Sequence, residues 1–174
     1  MKILITGISG TGKSTIASAL NERGITAIDL HDIPGIFFWQ DKTTKQTVEY
    51  TPVHSKEWFD TVDRICDLDK VKELFAQQGD VVMSGSTSGS NQKDFFSLFD
   101  KIILLQSDPQ TLVHRLQTRN NKSGYGKTQA EQEDNIEWQK EYDPLLLSLG
   151  AIPVNTEGSL DDVVNKIIEI IKKV

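Results

Sequence analysis

Close to the start of the chain lies Gly7-Ile8-Ser9-Gly10-Thr11-Gly12-Lys13-Ser14-Thr15, which fits the spacing G-x-x-x-x-G-K-[ST]. The apolar run Ile3-Leu4-Ile5 stands immediately before it and reads as a buried strand. Lys13 to about Arg23 follows as a helix, with Ile16, Ala17, Ala19 and Leu20 at helical spacing and Gly24 as its stop. A strand, a glycine-rich turn and a helix in that order aim unpaired helix amides and a positive dipole end over the turn. Glycine lets the backbone approach closely and adopt positive φ. Such a turn suits a polyphosphate. Lys13 is expected to reach the β- and γ-phosphates, Ser14 to offer a hydroxyl to Mg²⁺, and Thr15 to line the α-phosphate. Gly7, Ser9, Gly10, Thr11 and Gly12 supply the rest of the expected cradle. The sequence has no N-K-x-D guanine pattern, which favours ATP, with Mg²⁺, as the cofactor.

The remainder keeps the alternation of strand and helix. Strands are expected at Ile25–Ile28, ending at Asp29, and at Val81–Met83, Ile102–Leu105 and Ile152–Val154. Helices are expected at Glu57–Gln78, Phe95–Phe99, Pro109 to about Arg119, Gln129–Leu149 with a kink at Pro144, and Leu160–Lys173. The helix at 57–78 rests on Trp58, Val62, Ile65, Leu68, Val71, Leu74 and Phe75, which recur at three- and four-residue steps. Residues 31–55 show no clean period and read as an irregular segment on the substrate side. Residues 120–128 are polar and glycine-bearing and read as a lid, with Lys122 and Lys127 in it. Apolar strands alternating with helices specify a parallel sheet covered on both faces, within one domain spanning 1–174.

Composition removes several classes of function. Lys and Arg number 19 against 25 Asp and Glu, a net charge of −6, so a nucleic-acid partner is not expected. Cys66 is the single cysteine, which rules out an intrachain disulfide and a cysteine-rich metal site. No apolar run approaches the roughly 18 residues of a membrane span. Lys2–Thr6 is too short for a signal peptide, and a cytoplasmic protein, monomer or homodimer, is expected.

In the order of its pieces the chain resembles the P-loop small-molecule kinases: shikimate and gluconate kinases, adenylate-kinase-like enzymes and related nucleoside kinases. The resemblance rests on ILITGISGTGKST, on AIDLHD after the second strand, on IILLQSDPQTLVHRLQTR, and on IPVNT before the last helix. It implies a P-loop NTPase three-layer α/β/α sandwich with a five-stranded parallel sheet, a lid and a substrate-binding lobe. It also implies roles. Asp29 would be a base or metal neighbour, and Asp32 a second carboxylate facing the substrate, although the spacing here is D-x-x-D. Arg115 and Arg119 would reach the adenine or the phosphates as the lid closes. Asn155 and Thr156 would lie at the adenine edge, and Gly85 or Ser86 would touch substrate.

The residues themselves also support plainer readings. Asp29 or Asp32 can simply cap a turn, Ser84–Ser90 can be a flexible surface loop, and the Phe37-Phe38-Trp39 cluster can be core. Trp39 is nevertheless a candidate for stacking on a substrate. Trp58 and Trp138 read as core. VVMSGS ends in Ser84 where many ATPases carry an acid, which favours a kinase over a hydrolytic motor. The expected activity is transfer of the γ-phosphate of Mg·ATP to a small-molecule acceptor: a nucleoside, nucleoside monophosphate, sugar acid or cyclic polyol. The alternative is a regulatory NTPase that binds and slowly hydrolyses ATP without such an acceptor.

Overall fold

The structure is a computed structural model that describes residues 1–50, 56–119 and 125–173. Its centre is a sheet in the order β2 (Ala27–Asp29), β6 (Val81–Ser84), β1 (Lys2–Thr6), β7 (Lys101–Gln106) and β8 (Ile152–Asn155). Every neighbouring pair is parallel. Side chains on β1 alternate between the two faces, as the pleat requires. Ile3 and Ile5 join Ile16 and Leu20 of α1 (Lys13–Glu22) and Val163, Val164 and Ile167 of α7 (Leu160–Lys172). Leu4 faces the other way, into a cluster with Val71, Phe75, Phe95, Leu112, Tyr142 and Leu146. These come from α3 (Leu68–Gln78), α4 (Gln92–Ser97), α5 (Pro109–Thr118) and α6 (Gln129–Ser148). Both faces are therefore covered, which makes three layers. This is the α/β/α sandwich of a P-loop NTPase, with a five-stranded parallel sheet.

Parallel order brings the C-terminal ends of all five strands to one edge. Thr6, Asp29, Ser84, Gln106 and Asn155 end there, with Asp29 in register with Ser84 and Ser84 with Ile5. Ligands of open α/β sheets bind at that edge.

Beyond β2 the structure departs from two expectations. Residues 31–55 are not simply irregular: β3 (Phe37–Asp41) and β4 (Thr47–Val48) form a hairpin. Its turn is closed by Asp41, whose Oδ1 accepts from the amides of Thr43 and Thr44, and by Lys45 at φ 59°. Nor is 57–78 a single helix. Short α2 (Lys56–Thr61) gives way to β5 (Val62–Cys66), which pairs antiparallel with β3, and α3 starts afresh at Leu68. Asp67 supplies the break, its carboxylate accepting from the Lys70 amide as an N-cap. The antiparallel sheet β4-β3-β5 forms a small lobe of its own. Smaller shifts put β2 at 27–29 rather than 25–28, and α4 at 92–97 rather than 95–99. Helix α6 runs through Pro144 without interruption, and its start is secured by a capping box between Thr128 and Glu131. Among the described residues no helix is long and apolar enough to cross a membrane.

Candidate active site

The loop between β1 and α1 closes tightly on the sheet edge. Gly7 has φ 151°, and a Cβ there would lie 2.6 Å from the Leu105 carbonyl oxygen, so only glycine fits. Gly10 and Gly12 take φ 94° and 97°. Gly12 is the N-cap of α1, no side chain caps that helix, and its first turn holds no acidic residue. The helix thus presents bare amides and an uncompensated positive end. Thr11 turns inward, its hydroxyl donating to the Ile8 carbonyl, while Ser14 and Thr15 are exposed at the mouth.

Lys13 folds back over the loop, its Nζ donating to the carbonyls of Gly7 at 2.7 Å and Ile8 at 2.9 Å. Burial lowers its pKa to about 7, partly offset by attraction to Asp29 and reinforced by Arg119 and Arg64. Asp29 ends β2 and heads a short 3-10 turn, Leu30–Asp32. Its Oδ1 accepts from the His31 amide at 3.0 Å and from His31 Nδ1 at 3.1 Å. Burial alone would push its carboxyl up. The bonds from the His31 ring, the Ser14 side chain and the His31 amide outweigh that and hold it well below the usual carboxylate range. His31 itself is driven toward the neutral form, first by burial and then by Arg64 and Lys13, against the pull of Asp29. Its Nδ1 must carry the proton, since a carboxylate only accepts. Asp29 therefore does cap a turn, and it does so at the sheet edge beside Ser14. Asp32 lies exposed at the end of that turn.

The two arginines of α5 are tied down on either side of the loop. Arg115 donates to the Thr156 carbonyl at 2.7 Å, to the Thr156 hydroxyl at 3.0 Å, and at 3.4 Å to the Gly10 carbonyl. Arg119 is the C-cap of α5 and donates to the Ser9 hydroxyl at 3.1 Å and to the Tyr125 carbonyl at 2.9 Å. Thr156 is buried, whereas Asn155 is exposed and accepts from the Glu157 amide at 2.7 Å. Within the lid segment, residues 120–124, Lys122 among them, lie outside the described residues. Lys127 donates to the carbonyls of Gln117 and Arg119.

The loop after β6 is no flexible surface strand. Ser84, Gly85, Ser86 and Thr87 are all buried. Gly85 packs beneath Phe37, where a Cβ would meet Cζ at 3.1 Å. Ser84 Oγ is fully buried and has no hydrogen-bond partner. Trp39 sits in an aromatic group within the lobe, stacked with Tyr50 at 6.0 Å, tilted against Trp58 at 5.2 Å and edge-on to Phe59 at 5.7 Å. Trp58 is half-buried in that lobe group rather than in the main core. Trp138 packs against the core beside Tyr142.

Two residues of this region escape a reading of the sequence. Arg64 stands on β5 and lays its guanidinium over Phe37 and Trp39, 5.0 and 5.9 Å from their ring centroids. The continuous helical spacing of 57–78 hid it. Asn135 of α6 is fully buried and grips the loop at Ser9, accepting from its amide at 3.1 Å and donating to its carbonyl at 2.9 Å. In the sequence it is marked only as part of Asp134-Asn135, near the start of the helix that follows residues 120–128.

A family model described as an AAA domain matches residues 3–136. The chain belongs to that family. No curated protein matches it. Among solved structures it is similar to a shikimate kinase from Acinetobacter baumannii in complex with shikimate, at 19% identity and TM-score 0.61, over 99% of this chain and 93% of that one. Deoxyadenosine kinase from M. mycoides with bound dATP matches at 14% and 0.58, over 99% and 100%. A gluconokinase from Sinorhizobium meliloti 1021 matches at 18% and 0.54, over 94% and 87%. The fold is thus shared with P-loop small-molecule kinases along nearly the whole chain.

Proposed function

We propose that the protein is a small-molecule kinase that moves the γ-phosphate of Mg·ATP to a hydroxyl or phosphate acceptor seated between the sheet edge and the β4-β3-β5 lobe. The observation that carries the reading is the placement of Asp29. A carboxylate held ionised by His31 and Ser14 stands opposite Lys13, at the edge where α/β sheets bind ligands. The residues fit a magnesium nucleotide: an uncapped helix end, a lysine resting only on loop carbonyls, and an exposed serine hydroxyl bonded to a carboxylate. Gly7 to Thr15 would hold the phosphates, Ser14 and Asp29 the ion, and Arg115, Asn155 and Thr156 the base edge. Mg·ATP would supply the transferable phosphoryl group and neutralise the charge that develops on it. The chain's own part is to position. Asp29 orients the acceptor hydroxyl and takes its proton, and Lys13 and Arg119 set positive charge around the loop. Asp32, Trp39, Gly85 and Ser86 line the acceptor side.

The test is ADP release from Mg·ATP against nucleosides, nucleoside monophosphates, sugar acids and cyclic polyols. One acceptor is expected to raise turnover about a hundredfold over the background hydrolysis. Asp29→Asn is expected to lower that kcat by roughly 10²–10⁴ while leaving the KM for ATP within a few-fold. Tight ATP binding with no stimulation by any acceptor would instead identify a regulatory NTPase.

A further inference from the structure

One face of α6 carries polar residues turned into the molecule. Glu131, Asn135, Gln139 and Asp143 follow at four-residue steps, which stacks them one above another along the helix. Glu131, Asn135 and Asp143 are buried and Gln139 is half-buried. Each bonds to a connection at the C-terminal edge of the sheet. Glu131 takes the amides of residues 126–128, and Asn135 takes Ser9. Gln139 donates from Nε2 to the Ser107 carbonyl at 3.2 Å, and Asp143 accepts from Gln106 Nε2 at 2.9 Å. The last two therefore hold neighbouring residues at the point where β7 runs into α5.

Asp143 is the costly member of the stripe. It is 9% exposed, no ion pair among the described residues includes it, and its Oδ1 is buried without a hydrogen-bond partner. Burial raises its pKa against the pull of the Gln106 and Gln139 amides. An apolar side chain of similar size would fill the place at less cost, so packing alone does not account for a carboxylate there. What it holds leads to the base edge. Gln106 is the last residue of β7, in register with Asn155 of β8. The Gln106 carbonyl accepts from the Thr156 amide at 2.9 Å and from the Thr156 hydroxyl at 3.1 Å. Thr156 in turn accepts from Arg115 at both its hydroxyl and its carbonyl. Beside Gln106, the Ser107 hydroxyl donates to Glu157 Oε1, which also accepts from the Asp108 amide at 2.9 Å. The turns at 106–108 and 155–157 are thus joined to each other and fastened from α6 by Gln139 and Asp143.

Resting on the base edge assigned in the kinase reading, we infer that Asp143 is a positioning residue for the nucleotide base: through the Gln106 side chain it fixes the end of β7 and, with it, the paired turn that carries Asn155 and Thr156. Donors and acceptors on a turn can read a base only while their directions are held. The phosphate loop does not depend on this support. Among the described residues Asp143 bonds to none of that loop, which has its own anchors in Asn135 and Arg119. Loss of Asp143 therefore weakens the hold on the base and leaves the hold on the phosphates as it was.

The experiment compares two ligands by calorimetry, Mg·ATP and Mg·tripolyphosphate, which share the phosphates but not the base. The wild type is expected to bind ATP at least tenfold more tightly. Asp143→Leu weakens ATP binding about tenfold and tripolyphosphate binding less than about twofold. Asp143→Asn, which keeps an acceptor oxygen for Gln106, recovers part of the loss. Gln106→Leu reproduces it, and the double variant is no weaker than either single one, as two residues acting through one bond require. Unchanged tripolyphosphate binding also shows that each variant is folded. A merely structural carboxylate would weaken both ligands together or neither, and additive losses in the double variant would mean that Asp143 does not act through Gln106. Each of those results overturns the inference and leaves the base edge where it is placed. A wild type that binds ATP no more tightly than tripolyphosphate would overturn the base-edge assignment itself, and the inference with it.

Discussion

Asp29 and Lys13 both have lowered pKa values, and the cause differs at each. The Asp29 carboxyl is lowered by hydrogen bonds that win over burial. The Lys13 ammonium is lowered by burial that wins over Asp29. Stability should register the second effect directly. The folded-state pKa of Lys13 is about 7 against an ordinary lysine value of 10.5, so between those pH values the unfolded chain binds the extra proton. Stability then rises as pH climbs from about 7 toward 10.5. The depressed His31 acts in the same direction at lower pH, since desolvation favours its neutral form too. Urea unfolding of the nucleotide-free protein at pH 7 and 9.5 should show a higher midpoint at the higher pH. Lys13→Met should flatten that rise, and an unchanged slope would show that Lys13 is not desolvated. Bound phosphates add the opposite charge and raise the Lys13 pKa, so nucleotide binding at pH 8 should take up a proton. Calorimetry in buffers of different ionisation enthalpy would detect it.

At the scale of elements, legibility tracked local pattern. The strand, loop and helix of residues 2–22 were readable because each part carries its own signal, and the five parallel strands were readable as short apolar runs. The lobe was not. Val62 and Ile65 extend the three- and four-residue spacing of the flanking helices, so VDRIC passes for one more turn of helix. What makes it a strand is nonlocal: its ladder to Phe37–Asp41, and Asn91, which accepts from the Cys66 amide and donates to the Cys66 carbonyl. Arg64 was lost with it, since an arginine in a helical pattern reads as a solvated face. Asn135 was given no role for a similar reason. Its partner, Ser9, is 126 residues away. The clamp it forms is testable as a link between two elements. Asn135→Ala removes the partner of the half-buried amide and carbonyl of Ser9, a loss of at most about 1–3 kcal/mol. The expected result is a tenfold or greater rise in the KM for ATP with a smaller change in kcat. Equal ATP affinity in the variant would mean that the loop holds its shape without α6.

Across the whole molecule, the first turns of α6 tie three segments together. Glu131 is buried, and its Oε2 accepts from the amides of Gly126, Lys127 and Thr128 at the foot of the lid. Its Oε1 accepts from the hydroxyl of Tyr50, at 3.3 Å, from the lobe that carries Trp39. One turn further along, Asn135 holds the phosphate loop, and Arg119 joins Ser9 of that loop to the Tyr125 carbonyl. Phe59 of α2 meets Tyr125 edge-on at 6.3 Å, a contact between the lobe and the residues that precede α6. A single carboxylate thus serves the lid, the lobe and the start of the helix that steadies the loop. Glu131→Ala removes the acceptor for three amides and the Tyr50 hydroxyl together, so the lid foot should open while the sheet core stays intact. Hydrogen exchange at residues 126–128 should speed up by tenfold or more, with amides of β1 and β7 unaffected. A site that cannot exclude water spends ATP on it. Hydrolysis without acceptor should therefore rise relative to transfer, whereas Glu131→Gln, which keeps an acceptor oxygen, should recover part of the coupling. If exchange at 126–128 quickened and the ratio of hydrolysis to transfer did not move, lid closure would not be what keeps water from the phosphoryl group. Exclusion would then have to come from the acceptor lobe alone.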